Sequence, residues 1–431
     1  MAAYRTGRRG FIGGASAFLA ALGWEGRAVV PDGVETLPAW RPGELDLHFI
    51  YTGCGENMFY RLPDGTAILN DVGDHYRPND LAEVPLLPSD KRLGGDWVAR
   101  YIRRVYDGSE IDYALFSHWH DDHVGHSKFD VPDTPRSANR WRLNAKGEKV
   151  NGFLCVADEF RILRCFDHQY PKRGAYGTQG SCMKLMTAWQ EREIPRGLVV
   201  EPFRVGALDQ IRMQRDPDKY RGIFSIRNLC ANGVIWDGAD GAIDYAAEQA
   251  VLDTNAPGWI GQNNLSMGFV IRYGSFSYLT EGDMQGNMSY RLDGTSLRWD
   301  AEVGRLAGKT TVCKMSHHGC RPDMSREMLE AVRADAYVGC MWCSRQSHPD
   351  TMTRMVEAAG DGPKPLILPQ ILPRIHREWF EARGEKCPHP GAVHVVVRVR
   401  EGGEAYTIYL LDAHDEEMRV TARFDKTCAV S

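Results

Sequence analysis

The sequence predicts an α/β fold in which two sets of strands and helices flank a long irregular segment. Two observations support this prediction. Short apolar or alternating runs recur along the chain and are typical of strands, and apolar residues at helical spacing separate some of them. Several of these runs also end in histidine or carboxylate residues, so we expect a functional site where the strands end.

The first set of elements precedes a histidine-rich stretch. Strands are predicted at 45–51, 57–61 and 66–74, where alternating or apolar runs are bounded by turn residues. Apolar side chains over 97–105 recur at helical spacing and predict a helix. A short apolar run at 111–116 then predicts a buried strand that leads directly into the histidine-rich stretch.

The histidine-rich stretch has the form His-x-His-x-Asp-His and runs from His118 to His123. Neutral imidazole and carboxylate groups are ligands that suit zinc and similar divalent metals. On an extended loop His118 and His120 point to the same side and can bind one ion, while Asp122 and His123 can turn to a second. The alternative is a polar surface loop that is rich in histidine by chance. Four ligand residues directly after a strand disfavour that alternative.

The second set of elements supplies two further polar strand ends. Strands are predicted, in chain order, at 223–227, 263–272, 275–280, 311–315 and 391–424. The strand at 275–280 ends at Asp283, and the strand at 311–315 leads to His317 and His318. These residues and the histidine-rich stretch thus come from separate segments, each at the end of a predicted strand, as a paired metal site at one edge of a sandwich requires.

A long segment without clear periodicity, residues 128–230, separates the two sets. It holds nineteen Lys and Arg against twelve Asp and Glu, a net charge of +7 in a chain whose formal net charge is −5. We predict that it is an insertion over the mouth of the site and that its positive charge faces phosphate. A solvated surface would account for the charge equally well.

The N-terminus is predicted to be a twin-arginine export signal, residues 1–28. Arg8 and Arg9 precede Phe11, Ile12 and a short stretch of small and apolar residues. The alternative is an ordinary amphipathic start to the fold. Export by the twin-arginine machinery would place the mature chain, residues 29–431, in the bacterial periplasm or outside the cell. No apolar run in that mature part is long enough to span a bilayer.

The charge of the mature chain bears on its partners. Removal of residues 1–28 takes away four arginines and one glutamate, so the net charge changes from −5 to −8. This acidity disfavours a general polyanion binder, and we predict no stable nucleic-acid complex. The chain contains eleven cysteines, for which the sequence assigns no disulfide pairing.

The histidine-rich stretch resembles that of the metallo-β-lactamase superfamily, whose members use this string for a paired metal site. Further stretches, among them Gly282-Asp283 and His317-His318-Gly319, are similar to those of the metallo-hydrolase domain of the competence-protein ComEC/Rec2 family and its free-standing relatives. The resemblance covers residues 45–425 without the insertion. It implies a four-layer αββα sandwich and an activity among nucleases and phosphoryl-ester hydrolases.

The resemblance also implies a role for each motif residue. His118 and His120 would bind the first ion. Asp122 and His123 would bind the second ion, and Asp283 would bridge the two. We expect two divalent ions, with zinc as the first choice and manganese as the alternative.

Other residues receive implied roles outside this core. One of His317 and His318 would complete the second site, and we favour His317, with His318 facing the substrate. Asp71 would orient a ligand histidine, as metal-bound histidines usually require. A third histidine for the first ion is not evident; His168 is a candidate, although a structural role suits it better. His348 could line the pocket but is otherwise structural.

The expected function is metal-dependent hydrolysis of a small or oligomeric phosphoester, as in a phosphodiesterase or nuclease. Two ions about 3.5 Å apart can share a hydroxide that serves as nucleophile. Asp122 would receive its proton, and His318 would polarise the substrate. Two alternatives remain open. One is hydrolysis of a lactone, amide or thioester, and the other is a metal-bearing binding or assembly protein without turnover.

Overall fold

Two large sheets organise the structure. The computed structural model describes residues 26–74, 86–126, 141–168, 170–171, 180–244, 261–286, 289–292 and 295–428. The ten-stranded sheet contains, in spatial order, β1 (Arg27–Val29), β22 (Val420–Thr427), β21 (Ala405–Asp412), β20 (Val393–Val399), β2 (Leu45–Phe49), β3 (Asn57–Arg61), β4 (Ala67–Val72), β5 (Glu110–Phe116), β8 (Arg161–Asp167) and β9 (Val199–Glu201). The eight-stranded sheet contains β12 (Ala242–Asp244), β11 (Val234–Trp236), β10 (Phe224–Ala231), β13 (Gly268–Tyr273), β14 (Phe276–Thr280), β17 (Val312–Lys314), β18 (Ala336–Gly339) and β19 (Leu366–Pro369). Two separate hairpins consist of β6 (Arg142–Leu143) with β7 (Lys149–Val150) and of β15 (Ser289–Leu292) with β16 (Thr295–Arg298).

Helices cover the sheets. In the described ranges they are α1 (Gly94–Val105), α2 (Asp121–Val124), α3 (Phe153–Glu159), α4 (Gly180–Glu193), α5 (Trp299–Ala307), α6 (Arg326–Val332), α7 (Pro349–Ala358) and α8 (Arg374–Ala382). The helix predicted over 97–105 is α1, which begins at Gly94. It buries Trp97, Val98, Tyr101 and Ile102. The apolar spacing that predicted the helix therefore also marks the face that it packs on the sheet.

Both sheets change from antiparallel to parallel pairing near their centres. In the ten-stranded sheet β2, β3 and β4 pair antiparallel, whereas β4, β5 and β8 pair parallel. In the eight-stranded sheet β13 and β14 pair antiparallel, whereas β14, β17 and β18 pair parallel. Parallel neighbours end at the same edge of a sheet. The residues that follow β4 and β5 are thus brought together, as are those that follow β14 and β17.

Hydrophobic clusters between the elements define four layers. The largest cluster combines side chains of both sheets, such as Tyr60 on β3 and Tyr278 on β14, whose rings meet edge to face with centroids 5.7 Å apart. A second cluster joins the ten-stranded sheet to α1, α3 and α4, and a third joins the eight-stranded sheet to α5, α6 and α7. The predicted αββα four-layer sandwich is confirmed.

The segment 128–230 differs from the insertion that we expected. Its strands β8 and β9 extend the ten-stranded sheet, and β8 pairs with β5 in parallel. Arg215 pairs with Asp112 at 2.8 Å, near the start of β5, which is the end of the strand opposite to the histidine-rich stretch. The strand β8 was overlooked because its polar residues, Arg161, Arg164 and Asp167, recur every third position, so the sequence shows no strand alternation.

Many basic residues of this segment have carboxylate partners nearby. Arg142 lies 2.7 Å from Asp96, and Arg204 lies 3.0 Å from Asp209. Such pairs offset part of the positive charge locally. The lysines and arginines at 128–140 and 172–173 lie outside the described residues, so for them the phosphate-facing charge stays a prediction.

The predicted export signal lies outside the described residues except for its last three positions. Arg27–Val29 forms β1, which pairs with β22 through Arg27 opposite Asp425 and Ala28 opposite Phe424. Cleavage after residue 28 would therefore divide an edge strand. No helix in the described part of the chain is both long and apolar enough to cross a membrane.

A buried histidine makes the stability of the ten-stranded sheet depend on pH. His394 on β20 accepts a hydrogen bond at Nδ1 from the backbone N–H of Tyr51, at 3.0 Å. Burial lowers the pKa of His394 to about 3. An unfolded chain would take up this proton near pH 6.5. Stability from this group is therefore present above about pH 6.5 and is lost as the pH falls toward about 3.

We expect His394→Asn to flatten the acid side of the stability profile. The asparagine oxygen can still accept from the backbone of Tyr51 but takes up no proton. The free energy of unfolding, measured by urea denaturation, should lose about 1.4 kcal/mol per pH unit less than in the wild type between about pH 6 and 4. His414→Asn is the control. Asp412 raises the pKa of that half-exposed histidine, so its replacement should not flatten the slope between these pH values. Equal slopes for wild type and His394→Asn would contradict the assignment.

Candidate metal centre

The candidate site lies where the parallel strands of both sheets end. Asp71 is near the end of β4, and the histidine-rich stretch follows β5. From the other sheet, Asp283 follows β14 and His318 follows β17. The site is thus shared between the two sheets, as the positions of these residues after predicted strands suggested.

Two histidines converge on a single oxygen. Nε2 of His123 and Nε2 of His318 each lie 3.1 Å from Oδ2 of Asp283. All three side chains are buried. Neither Nε2 atom has a well-aligned hydrogen-bond partner among the described residues, although these carboxylate oxygens are close. Nitrogen and oxygen atoms that converge in this way without forming well-aligned hydrogen bonds to one another can bind a cation between them.

The outer nitrogen of each of these histidines faces a buried carboxylate. Nδ1 of His123 lies 3.0 Å from Oδ2 of Asp71, and Nδ1 of His318 lies 3.2 Å from Oε2 of Glu56. A carboxylate on Nδ1 holds the proton there and leaves the lone pair of Nε2 for a metal. Asp71 therefore has the place expected of a carboxylate that orients a ligand histidine.

Asp122 joins the same group of side chains. Its Oδ2 lies 3.3 Å from Nε2 of His318 and 3.9 Å from Nε2 of His123. The carboxylate of Asp122 is 16% exposed, whereas both histidines are fully enclosed. It can therefore bind an ion and also reach a solvent-filled face of the site.

His118 and His120 form a second pair of donors beside this group. Nε2 of His118 lies 2.9 Å from Nδ1 of His120. The rings of His118 and His123 have centroids 4.2 Å apart, so the two pairs are neighbours. Nδ1 of His118 faces the hydroxyl groups of Ser117 and Ser266, at 3.1 and 3.3 Å. This geometry allows a first ion between His118 and His120 adjacent to the second.

The geometry favours His318 as the ligand, whereas the sequence analysis favoured His317. His318 is the one that approaches Asp122 and Asp283, whereas Nε2 of His317 is 4.0 Å from Asp283 and lies at 3.1 Å from the amide of Asn263. The side chain of His317 is 22% exposed. Both histidines have positive φ, 46° and 57°, so neither the strand period nor the helix period predicts their directions.

His317 has its own buried carboxylate. Nδ1 of His317 lies 2.6 Å from Oδ2 of Asp323, which is completely enclosed. Burial lowers the pKa of His317, but the hydrogen bond to Asp323 and the charges of Asp283 and Asp323 together outweigh burial and raise it. His317, Cys320 and Asp323 have ligand atoms within 4.8 Å of one another. The pair with Asp323 orients His317 at the accessible side of the site.

The two remaining candidate histidines lie elsewhere. His168 is buried, and its ring lies 5.0 Å from that of Trp119. Burial lowers the pKa of His168 to about 3, so it is neutral. His348 precedes α7 and accepts a hydrogen bond at Nδ1 from the backbone N–H of Asp350, at 3.1 Å. Neither belongs to the described groups of converging ligand atoms.

Sequence reasoning missed two residues, Glu56 and Lys314. Both are completely buried, and Nζ of Lys314 lies 2.7 Å from Oε2 of Glu56. Lys314 also donates to the carbonyl of Gly282 at 2.8 Å and lies 3.5 Å from Oδ1 of Asp283. A lysine inside an otherwise apolar strand was the available signal, because buried lysines require partners.

The electrostatics of the site is dominated by burial and by these close charges. Burial lowers the pKa of His123 and His318, but Asp283 and the other nearby carboxylates outweigh it and raise both pKa values well above the usual range. Burial raises the pKa of Asp283, but His123, His318 and Lys314 outweigh it and lower that pKa. Asp283 is thus held as an anion in a buried space. The nitrogen and oxygen donors suit a divalent ion such as Zn²⁺ or Mn²⁺.

Comparisons with known proteins add little to this geometry. No protein-family model matches the chain, and no curated protein matches it in sequence. Among solved structures, a mutant of the CmlA β-hydroxylase is similar, with a TM-score of 0.37 and 12% sequence identity. The similarity covers 77% of this chain and 53% of that one, so the chain spans about half the length of its structural neighbour.

Proposed function

We propose that this chain is a binuclear metal-dependent hydrolase of phosphoesters, related to the ComEC/Rec2 branch of the metallo-β-lactamase superfamily. The observation that carries the proposal is the convergence of His123 and His318 on one oxygen of Asp283. Asp122 joins that group, and His118 and His120 add donors for the other ion beside it. A divalent pair held there supplies Lewis acidity and activates water for attack.

The residues of the chain then have distinct tasks. Asp71 and Glu56 keep the Nε2 atoms of His123 and His318 available as ligands, because they occupy the Nδ1 sides of the rings. His317 is the imidazole that a substrate can reach. With Nδ1 held by Asp323, its Nε2 can exchange a proton with a substrate oxygen, a role that contributes about 10²–10⁴-fold to rate in other enzymes.

Metal content and substrate class test the proposal together. Purified protein should contain two divalent ions per chain and should hydrolyse a chromogenic phosphodiester or phosphomonoester, with loss of activity after chelation and recovery on adding Zn²⁺ or Mn²⁺. Preference for a lactone, amide or thioester in the same panel would replace the substrate class. Two bound ions without turnover on any ester would favour the non-catalytic alternative.

A pair of variants tests the roles that we propose for the two adjacent histidines, with His318 as the ligand and His317 facing the substrate. We expect His317→Asn to retain both ions but to lower kcat by about 10²-fold or more, because the proton-transfer group is lost. His318→Asn should lose an ion, because one of the two nitrogens facing Asp283 is removed. Elemental analysis and kcat for both variants check this. Loss of metal in His317→Asn with full metal in His318→Asn would restore the order favoured from the sequence.

We also propose export of the chain by the twin-arginine machinery to the periplasm or beyond. Arg8 and Arg9 before Phe11 support it. Replacement of both arginines by lysine should retain the protein in the cytoplasm, as fractionation of expressing cells would show. Unchanged export of the double-lysine variant would refute the signal without affecting the proposed activity.

A further inference from the structure

Lys314 lies at the centre of the site, although metal binding and proton transfer as described above do not use it. Its ammonium group has three N–H donors. Within 3.5 Å it faces the carboxylate of Glu56, the carbonyl of Gly282 and Oδ1 of Asp283. Because the side chain is completely enclosed, this charge is fixed in place by these partners.

Glu56 is close enough to be a metal ligand itself. One oxygen of Glu56 lies within 4.8 Å of ligand atoms of His123, Asp283 and His318, and these atoms all lie within that distance of one another. The carboxylate is instead 2.7 Å from Lys314. A buried carboxylate needs a cation, and when the histidines are neutral metal ligands the ammonium group and a metal ion can each provide it.

We propose that Lys314 is a positioning residue that limits the coordination number of the metal centre. It holds Glu56 against Nδ1 of His318 and out of the ligand shell. It also engages Oδ1 of Asp283, so that Oδ2 alone faces the two histidine nitrogens. A coordination position thereby stays open for water or substrate, as catalytic metal sites require.

The proposal predicts that replacing Lys314 changes metal affinity in an unusual direction. A residue that merely supports the fold should weaken metal binding when it is replaced. Loss of the fixed positive charge in Lys314→Met should instead tighten divalent metal binding by about tenfold or more, because repulsion is removed and Glu56 is freed to coordinate. Turnover should fall at the same time, since the open position is filled.

The experiment uses the full chain with Co²⁺ or Zn²⁺ alone as the probe. Metal affinity is measured by competition with a chromophoric chelator, and coordination is followed by the visible absorption of bound Co²⁺, which weakens as coordination number rises. Lys314→Met should bind more tightly and absorb less strongly than the wild type. Lys314→Met combined with Glu56→Gln should regain the wild-type spectrum, because the freed ligand is absent.

Two further variants keep the test decisive. Lys309→Met removes an exposed lysine and should change neither affinity nor spectrum. Lys314→Gln replaces Lys314→Met if the latter is not recovered folded, and the same tightening is expected. Equal or weaker binding in the Lys314 variant, with an unchanged Co²⁺ spectrum, would overturn this inference and leave the proposed hydrolase intact. The inference rests on the proposed metal centre but not on its substrate, so a wild-type chain that binds no divalent ion would overturn both.

Discussion

Asp283→Ala is expected to remove at least one of the two ions and to lower hydrolysis by about 10³-fold or more. The reason is that Asp283 is proposed to bridge the two ions. Its Oδ2 atom also faces ligand histidines from both sheets. It lies 3.1 Å from Nε2 of His123 and from Nε2 of His318, which come from different sheets. Without that anion, two cations would be held side by side among neutral imidazoles. Metal per chain by elemental analysis and the hydrolysis rate measure both effects.

Two comparisons make the result specific to the shared oxygen. Asp71→Asn should be milder, with a loss of about 10–100-fold in metal affinity or rate, since Asp71 acts through His123. Asp107→Ala removes a carboxylate that is 93% exposed and should leave metal content and rate unchanged. Full metal occupancy and an unchanged rate in Asp283→Ala would show that this residue bridges no ions.

Gly73→Ala is expected to damage the metal centre without altering any ligand. A Cβ atom at residue 73 would lie 1.8 Å from the carbonyl oxygen of Asp122 and 2.1 Å from its carbon. The same carbonyl accepts the backbone N–H of Glu56 at 2.9 Å. The end of β4, the histidine-rich stretch and the start of β3 are therefore packed backbone against backbone, with no space for a methyl group.

The alanine methyl group must push the backbone at Asp122 away from β4. We expect a loss of about 1–3 kcal/mol in the free energy of unfolding, the usual cost of overpacking, together with metal content below one ion per chain. Urea denaturation and elemental analysis measure the two effects. Gly33→Ala is the matched control, because a Cβ atom there would have no neighbour within 4 Å. Normal metal loading in Gly73→Ala would mean that Asp122 tolerates displacement.

The sequence predicted best what is local. His118, His120, Asp122 and His123 lie within one short string after a strand, so their types and spacing were enough to predict a shared site. The residues after β14 and β17 could also be assigned to the predicted site, because polar residues at the ends of apolar strands are easily recognised in a sequence. The alternation of apolar runs with helical spacing predicted an α/β fold, and the family resemblance implied the αββα layers.

What the sequence did not predict depends on contacts between distant segments. Glu56 and Lys314 are single residues, separated by most of the chain, and only the packing of the two sheets brings them to 2.7 Å. The order of His317 and His318 depends on two consecutive residues with positive φ, a conformation that side-chain type alone does not specify. Strand β8 was missed because its polar residues do not alternate with apolar ones, and β9 was missed because it has only three residues.

The position of β2 has a consequence for the time course of folding. It lies between β3 and β20 in the sheet. Asp46 on β2 and Arg398 on β20 form a buried pair, although they are 352 positions apart in the sequence. Contacts of such long sequence separation form slowly, because the intervening chain must first be ordered. The ligands come from both sheets, so a complete ion-binding pocket can exist only after the sheets have closed on each other. Metal uptake during refolding should accordingly report the last steps of folding, and added metal should stabilise the finished protein without accelerating its formation.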